Sequence, residues 1–310
     1  MRTSPRSLGS LLLVVLLAGA NLGCLKKMLF EGQVASTRKG SAAVNTLSDF
    51  EVARAAAFAG LSQFEGMHLL GPENQDALFL LAKGWAGAGF GFIEDDMEVA
   101  ADRYGEDSDL YEYHKARAVA AYARAIHYGT TLLELRHPGF KPATKNMDTM
   151  KAWMQLFDDP ELDTEYLFWT GQAWMSRVNL LKDRPEVVGE LFVGVAMLER
   201  AVELDEKYLY GSGHVLLGSY HARSAMAELD ESKKHFERAL ELSGGGALMA
   251  KLQFAVKYYC TKVDQENYVR LLTEVIEAGD VLPQQRLQNT IAKRKARRYL
   301  GKQRINECGF

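Results

Sequence analysis

The sequence predicts an all-α fold, built from degenerate helix-turn-helix repeats gathered into a compact bundle with a helical cap. Three observations predict it. Long stretches rich in Ala, Leu, Glu and Lys recur between Gly, Pro and Asp breakers, and runs of Val, Ile and Thr with period-two alternation are nearly absent. A three-residue pattern also recurs at helical spacing. With 310 residues, 47% hydrophobic and 25% charged, the chain has an ordinary globular composition and is long enough to bury a sizeable core.

At the start, Arg2 and Arg6 precede an apolar stretch from Leu8 to Ala20, followed by Asn21, Leu22, Gly23 and Cys24. A basic region, a short greasy region and a small residue before cysteine predict a lipoprotein signal peptide over residues 1–23 and lipidation of Cys24. Asn21 stands where such sequences usually carry Leu; the alternative is a soluble secreted protein cut near Ala20. The apolar run is about 13 residues against the roughly 20 that span a bilayer, so only the lipid would hold the mature protein to a membrane. Export places the protein in the periplasm, and Leu25 rather than Asp after the cysteine favours the outer membrane by analogy with enteric sorting. Loss of residues 1–23 removes Arg2 and Arg6 and no acid, so the formal charge moves from −3 to −5. That balance argues against nucleic acid as a partner.

Residues 24–45 show no convincing period and are expected to form a lipid-anchored tether. A helical repeat domain is expected over 46–304, with a short tail at 305–310. Helical units are placed at roughly 48–72, 76–130, 164–206 and 211–244, followed by capping helices near 247–278 and 283–301. The recurring pattern is a small residue, an aromatic or Leu four later, and a small or slender residue three further on. It is met by Gly60, Phe64 and Met67; Ala118, Tyr122 and Ala125; Gly194, Leu198 and Ala201; and Ser232, Phe236 and Ala239. Small residues let a helix approach its partner closely while the bulky one fills the groove between pairs, the spacing of tetratricopeptide repeats. Leu217-Gly218 resembles the Leu-Gly of that repeat. Irregular unit spacing, with a long insertion between Ile126 and Tyr166, favours a compact bundle over a long spiral.

No constellation for catalysis, cofactor binding or metal ligation stands out. The cluster from Gly84 to Phe92 follows a helical stretch rather than a strand, so packing or the wall of a cavity suits it better than a phosphate loop. Gly87 and Gly91, four apart, would form a smooth strip on a helix. Ser243-Gly244-Gly245-Gly246 fits a helix end and hinge. The seven histidines are scattered in sequence, and although His214 and His221 share a helix face, neither sits in a metalloprotease motif. Ser-centred hydrolase motifs are absent. Cys260 and Cys308 are open to two readings, a bridge or two free thiols.

Charge is segregated. Between Arg286 and Arg304 the chain carries eight basic residues and no acidic one, while residues from Glu94 to Glu112 form an acidic block. Arg294, Arg297 and Arg298 are therefore candidates for docking a protein partner or phospholipid headgroups, against the alternative of a solvated face.

The segment from Glu165 to Leu180 is helical and unusually aromatic. Leu167-Phe168-Trp169-Thr170-Gly171 with Ala173-Trp174 resembles a Leu-Tyr-Trp-Thr-Gly and Ala-Ala-Trp signature of the T component of tripartite ATP-independent periplasmic (TRAP) transporters, a lipoprotein family of cryptic tetratricopeptide repeats. Glu199-Arg200 with Glu203-Leu204-Asp205, His235-Phe236-Glu237-Arg238-Ala239, and Arg286-Leu287-Gln288-Asn289 with Ala296-Arg297 resemble later stretches of the family in the same order. Phe168 replaces a common Tyr, Gln288 a common Ala, and Arg298-Tyr299 a frequent Trp-Leu. The resemblance covers roughly residues 45–300. It implies a periplasmic homotrimer whose protomers each contain a channel and dock with the substrate-binding P component. Trp169, Trp174 and Asn289 are the candidates for lining that channel, although an aromatic stripe of this kind is more often core. The competing function is a lipid-anchored repeat scaffold for outer-membrane assembly.

Overall fold

The computed structural model describes residues 25–223 and 227–310, and no strand occurs among them. The expected signal peptide and Cys24 lie outside the described residues. Residues up to 42 and residues 43–310 form two units and are taken separately. In the first unit, residues 25–40 form helix α1. An irregular segment was expected there because no amphipathic period is visible. Helix forms without one because Leu, Lys, Met, Glu, Gln, Ala and Arg dominate the segment, and all have high helix propensity.

The body opens with α2 (Phe50–Leu70), whose N-terminus is capped by Asp49 accepting from the Glu51 and Val52 amides and whose end is marked by Gly71. Asn74 caps α3 (Gln75–Ala88), which passes through a π-helical turn at Gly89–Ile93 into α4 (Glu94–Tyr104). This rod is long and apolar enough to cross a membrane, but 67% of its apolar window is buried inside the body, as in the core helix of a soluble fold. After Gly105, at φ 88°, Ser108 caps the long α5 (Asp109–Arg136). The insertion contains α6 (Phe140–Ala143) and α7 (Met147–Met154). Then follow the aromatic α8 (Asp163–Leu180), the short α9 (Pro185–Val188), α10 (Leu191–Leu204), α11 (Ser212–His221) and α12 (Leu229–Leu242). The triple-glycine segment turns the chain at Gly244 and Gly245, both at positive φ, into α13 (Leu248–Gln253). A second π-helical turn, Phe254–Tyr259, precedes α14 (Gln265–Glu277), and α15 (Arg286–Tyr299) and α16 (Lys302–Glu307) finish the fold.

The small-large-small triads on α5, α10 and α12 are buried. Each holds a close approach. A Cβ on Gly194 would sit 3.1 Å from the Gly171 carbonyl oxygen, so α8 and α10 cross where both lack side chains, and the Phe236 ring lies against Gly218. The triad on α2 is only partly buried. The strip expected at Gly87 and Gly91 is broken by the π-turn: nothing approaches Gly87, whereas Gly89 faces the Tyr122 ring and Gly91 faces Ile291. Phe92 is buried with Phe50 and Leu287.

Helix contacts run from α2 through α3, α5, α8, α10, α11, α12 and α13 to α15, and α15 returns to α2. The bundle is therefore a closed circuit, sealed where Thr290 donates to the Ser48 carbonyl. Two large apolar cores divide it, one across α3 to α11 and one across α11 to α15. Cys260 and Cys308 are disulfide-bonded, which settles the reading left open and ties α16 to the second π-turn.

Candidate functional site

Between the two cores runs a charged seam. Glu98 on α4 accepts from Lys295 Nζ at 2.6 Å, from Arg298 Nη2 at 2.5 Å and from the Tyr299 hydroxyl at 2.9 Å. Asp95, fully buried, meets Arg294 Nε at 2.7 Å and Arg298 Nη1 at 2.6 Å, and Asp102 meets Arg304 Nη2 at 2.7 Å. Burial opposes ionisation of Glu98, but Lys295 and Arg298 outweigh it and hold its carboxyl at about 2. The acidic block and the basic helix thus face each other inside the molecule.

Two of the three docking candidates lie in this seam. Arg294 and Arg298 pair with buried carboxylates, so their charges join α15 to α4. Arg297 differs. It is exposed, it makes no hydrogen bond or ion pair among the described residues, and with Arg103, Lys302 and Asp102 it borders a cavity of about 420 Å³.

One acid and one base of the seam are left out of these pairings. Glu94, directly after the first π-turn, accepts the Tyr122 hydroxyl proton, and Tyr122 in turn accepts from Ser176. Burial raises the Glu94 carboxyl despite Lys295 and Tyr122, and burial lowers the Lys257 ammonium despite Glu94 and Glu98. Lys257, inside the second π-turn, makes no side-chain hydrogen bond or ion pair among the described residues. Both side chains nevertheless keep accessible surface.

The candidates for channel lining are Trp169, Trp174 and Asn289. Trp169 is buried, with its indole N–H donating to the Tyr208 hydroxyl at 3.0 Å, and Trp174 is buried against Phe140 with no partner for its Nε1. Both belong to the first core. Asn289 accepts from the Leu248 amide at 3.0 Å and donates to the Gly246 carbonyl at 3.0 Å, clamping the glycine turn to α15. The contacts of these three side chains are those of packing and turn-fixing groups.

Three of the histidines that are scattered in sequence come together on the α11–α12 hairpin. His214 and His235 share a hydrogen bond of 2.8 Å between their Nδ1 atoms, His221 stacks on His235 with ring centroids 5.5 Å apart, and Glu206 and Glu228 flank them. Burial and the two other rings push His235 down to about 4. The seven-residue spacing of His214 and His221 signals a shared face, but only the hairpin brings in His235. No group of His, Cys, Asp or Glu side chains suited to a metal ion is found among the described residues.

A family model described as the TRAP transporter T-component matches residues 46–305. A protein of Treponema pallidum (strain Nichols) is 22% identical over 211 residues, an alignment covering 67% of this chain and 59% of that protein. The chain thus spans under two thirds of that relative's length.

Proposed function

We propose, from the premise that this chain belongs to the TRAP transporter T-component family, that it is an exported lipoprotein which docks the substrate-binding P component of a TRAP transporter and handles a small ligand. The family is a transport accessory family, and this role is one of binding. The observation that carries the reading is the family match over nearly the whole helical body, residues 46–305. Lipidation at Cys24 would confine the protein to the periplasmic face of a membrane, the outer membrane by preference, and raise the local concentration of a tethered partner site. Assembly as a homotrimer belongs to the same proposal.

Arg297 supports the docking half of the reading. Its free guanidinium, beside Arg103 and Lys302, forms a basic hollow suited to carboxylates on a partner protein. The ligand half rests on the family match alone. Co-purification of the full-length tagged protein with a TRAP P component from the same organism tests the proposal. Recovery of the pair supports it; an intact protein that recovers no P component rejects it.

A further inference from the structure

Helix α1 turns an apolar face outward at the end next to Cys24. Leu25, Met28 and Leu29 are 47%, 63% and 63% exposed, whereas Val34, further along the same helix, is fully buried. At about 100° per residue the three exposed side chains lie within an arc of about 100°, and Val34 lies about 170° round from the middle of that arc. The side by which α1 packs is therefore opposite the side that carries the three apolar groups. Further along the outward side stand Gly32, Ser36 and Lys39, so the apolar surface is confined to the first two turns. Large apolar side chains grouped in this way are more stable out of water than in it.

We propose that this face of α1 is seated in the headgroup layer of an anionic lipid bilayer, with Leu25, Met28 and Leu29 reaching the acyl chains. Position argues for lipid as the occupant. Leu25 follows Cys24 directly, and Leu29 lies about 6 Å further along the helix axis, so acyl chains on Cys24 would hold all three side chains at the bilayer surface. Charge argues the same way. Residues 25–40 carry Lys26, Lys27, Arg38 and Lys39 against a single acid, Glu31. Lys26 stands at the edge of the apolar face, about 100° from Leu25, where its stem covers apolar surface while its ammonium reaches lipid phosphates. Lys27, on the far side, lies 3.8 Å from Glu31 in an exposed pair of the kind that contributes little and leaves its charge available to anionic headgroups. A helix seated in this way buries its apolar face by about 5–10 Å and gives an anchored chain a second, orienting contact with the membrane. The inference rests on the lipidation of Cys24 in the proposed role and is independent of the docking and ligand halves.

The test uses the full-length protein purified from membranes, with whole-protein mass spectrometry to report acylation of Cys24. Leu29→Cys and, on the far side of the helix, Lys27→Cys each receive one nitrobenzoxadiazole label, since Cys260 and Cys308 are bridged and do not react. The labelled proteins are reconstituted into vesicles of about three parts phosphatidylcholine to one of phosphatidylglycerol, and into phosphatidylcholine alone, both with nitroxide groups on the acyl chains. The label at position 29 is expected to be quenched at least about twofold more than the label at position 27, and more strongly where phosphatidylglycerol is present. With Cys24 acylated, the proposal is overturned if the two positions are quenched equally, if position 29 is not quenched, or if phosphatidylglycerol adds nothing. It is also overturned if the label at position 29 is shielded from aqueous iodide yet untouched by the nitroxides, because protein rather than lipid would then cover this face. A chain whose mass carries no acyl group rejects the lipoprotein reading and this inference with it. An acylated chain whose label at position 29 stays in water rejects the inference alone.

Discussion

Lys295 Nζ lies 2.6 Å from Glu98 Oε1 in a pair that is almost wholly buried on the lysine side, and it fastens the last long helix to the first π-turn rod. Removing Lys295 strips the buried ammonium from Glu98 but leaves its carboxylate paired with Arg298 and Tyr299. Lys295→Met is expected to lower unfolding free energy by about 1.5–3 kcal/mol, whereas Lys295→Met with Glu98→Leu should recover part of that loss. Urea unfolding of the single and double variants measures the difference. Equal losses in both would contradict the pairing.

The histidine cluster gives stability a defined pH dependence. Burial and the neighbouring rings depress His235 to about 4 in the folded state, and burial also lowers His214. A depressed folded value means that the unfolded chain binds the proton first, so this stability is present above about 6.5 and is lost as pH falls from there towards 4. The Glu98 contribution is lost later, between about 4.5 and 2. Melting of His235→Phe should show a flatter slope than wild type between pH 6.5 and 4, a window set by the ordinary and depressed histidine values. An unchanged slope would rule out the cluster as its source.

The Cys260–Cys308 bridge closes a loop with a sequence separation of 48. Its removal by Cys308→Ser should cost about 2–4 kcal/mol, chiefly by freeing the unfolded chain. Denaturant titration reads the loss, and peptide mapping without reductant should recover the two cysteines in one linked fragment.

At the α8–α10 crossing, a methyl on Gly194 would meet the Gly171 carbonyl at 3.1 Å and the Trp174 Cβ at 3.0 Å. Backbone cannot yield as a flexible side chain can, so Gly194→Ala should destabilise by about 1–3 kcal/mol. Gly87→Ala, facing open space, should be neutral or slightly stabilising, since alanine restricts the unfolded chain. Thermal melts of both variants separate the crossing from simple helix propensity.

Much of the fold was legible because its signals are local. Ala118, Tyr122 and Ala125 lie within about two turns of helix, and their spacing alone marks a buried stripe. The π-turns were not legible: Gly87 and Gly91 read as a strip only if the helix is regular, whereas in the fold Gly89 packs on Tyr122 and Gly91 on Ile291. The charged segments were read correctly as blocks but not as partners, because Asp95 and Arg294 are 199 residues apart and meet only through the return of α15. Lys257 carried no sequence signal at all.

Sedimentation of the purified full-length protein with a TRAP P component from the same organism, each at micromolar concentration, tests the central reading most directly. A complex is expected with wild type, and Arg297→Glu, which reverses a free charge without touching the seam, should weaken it by about tenfold or more. Independent sedimentation of the two wild-type proteins would contradict the role as a P-component docking lipoprotein.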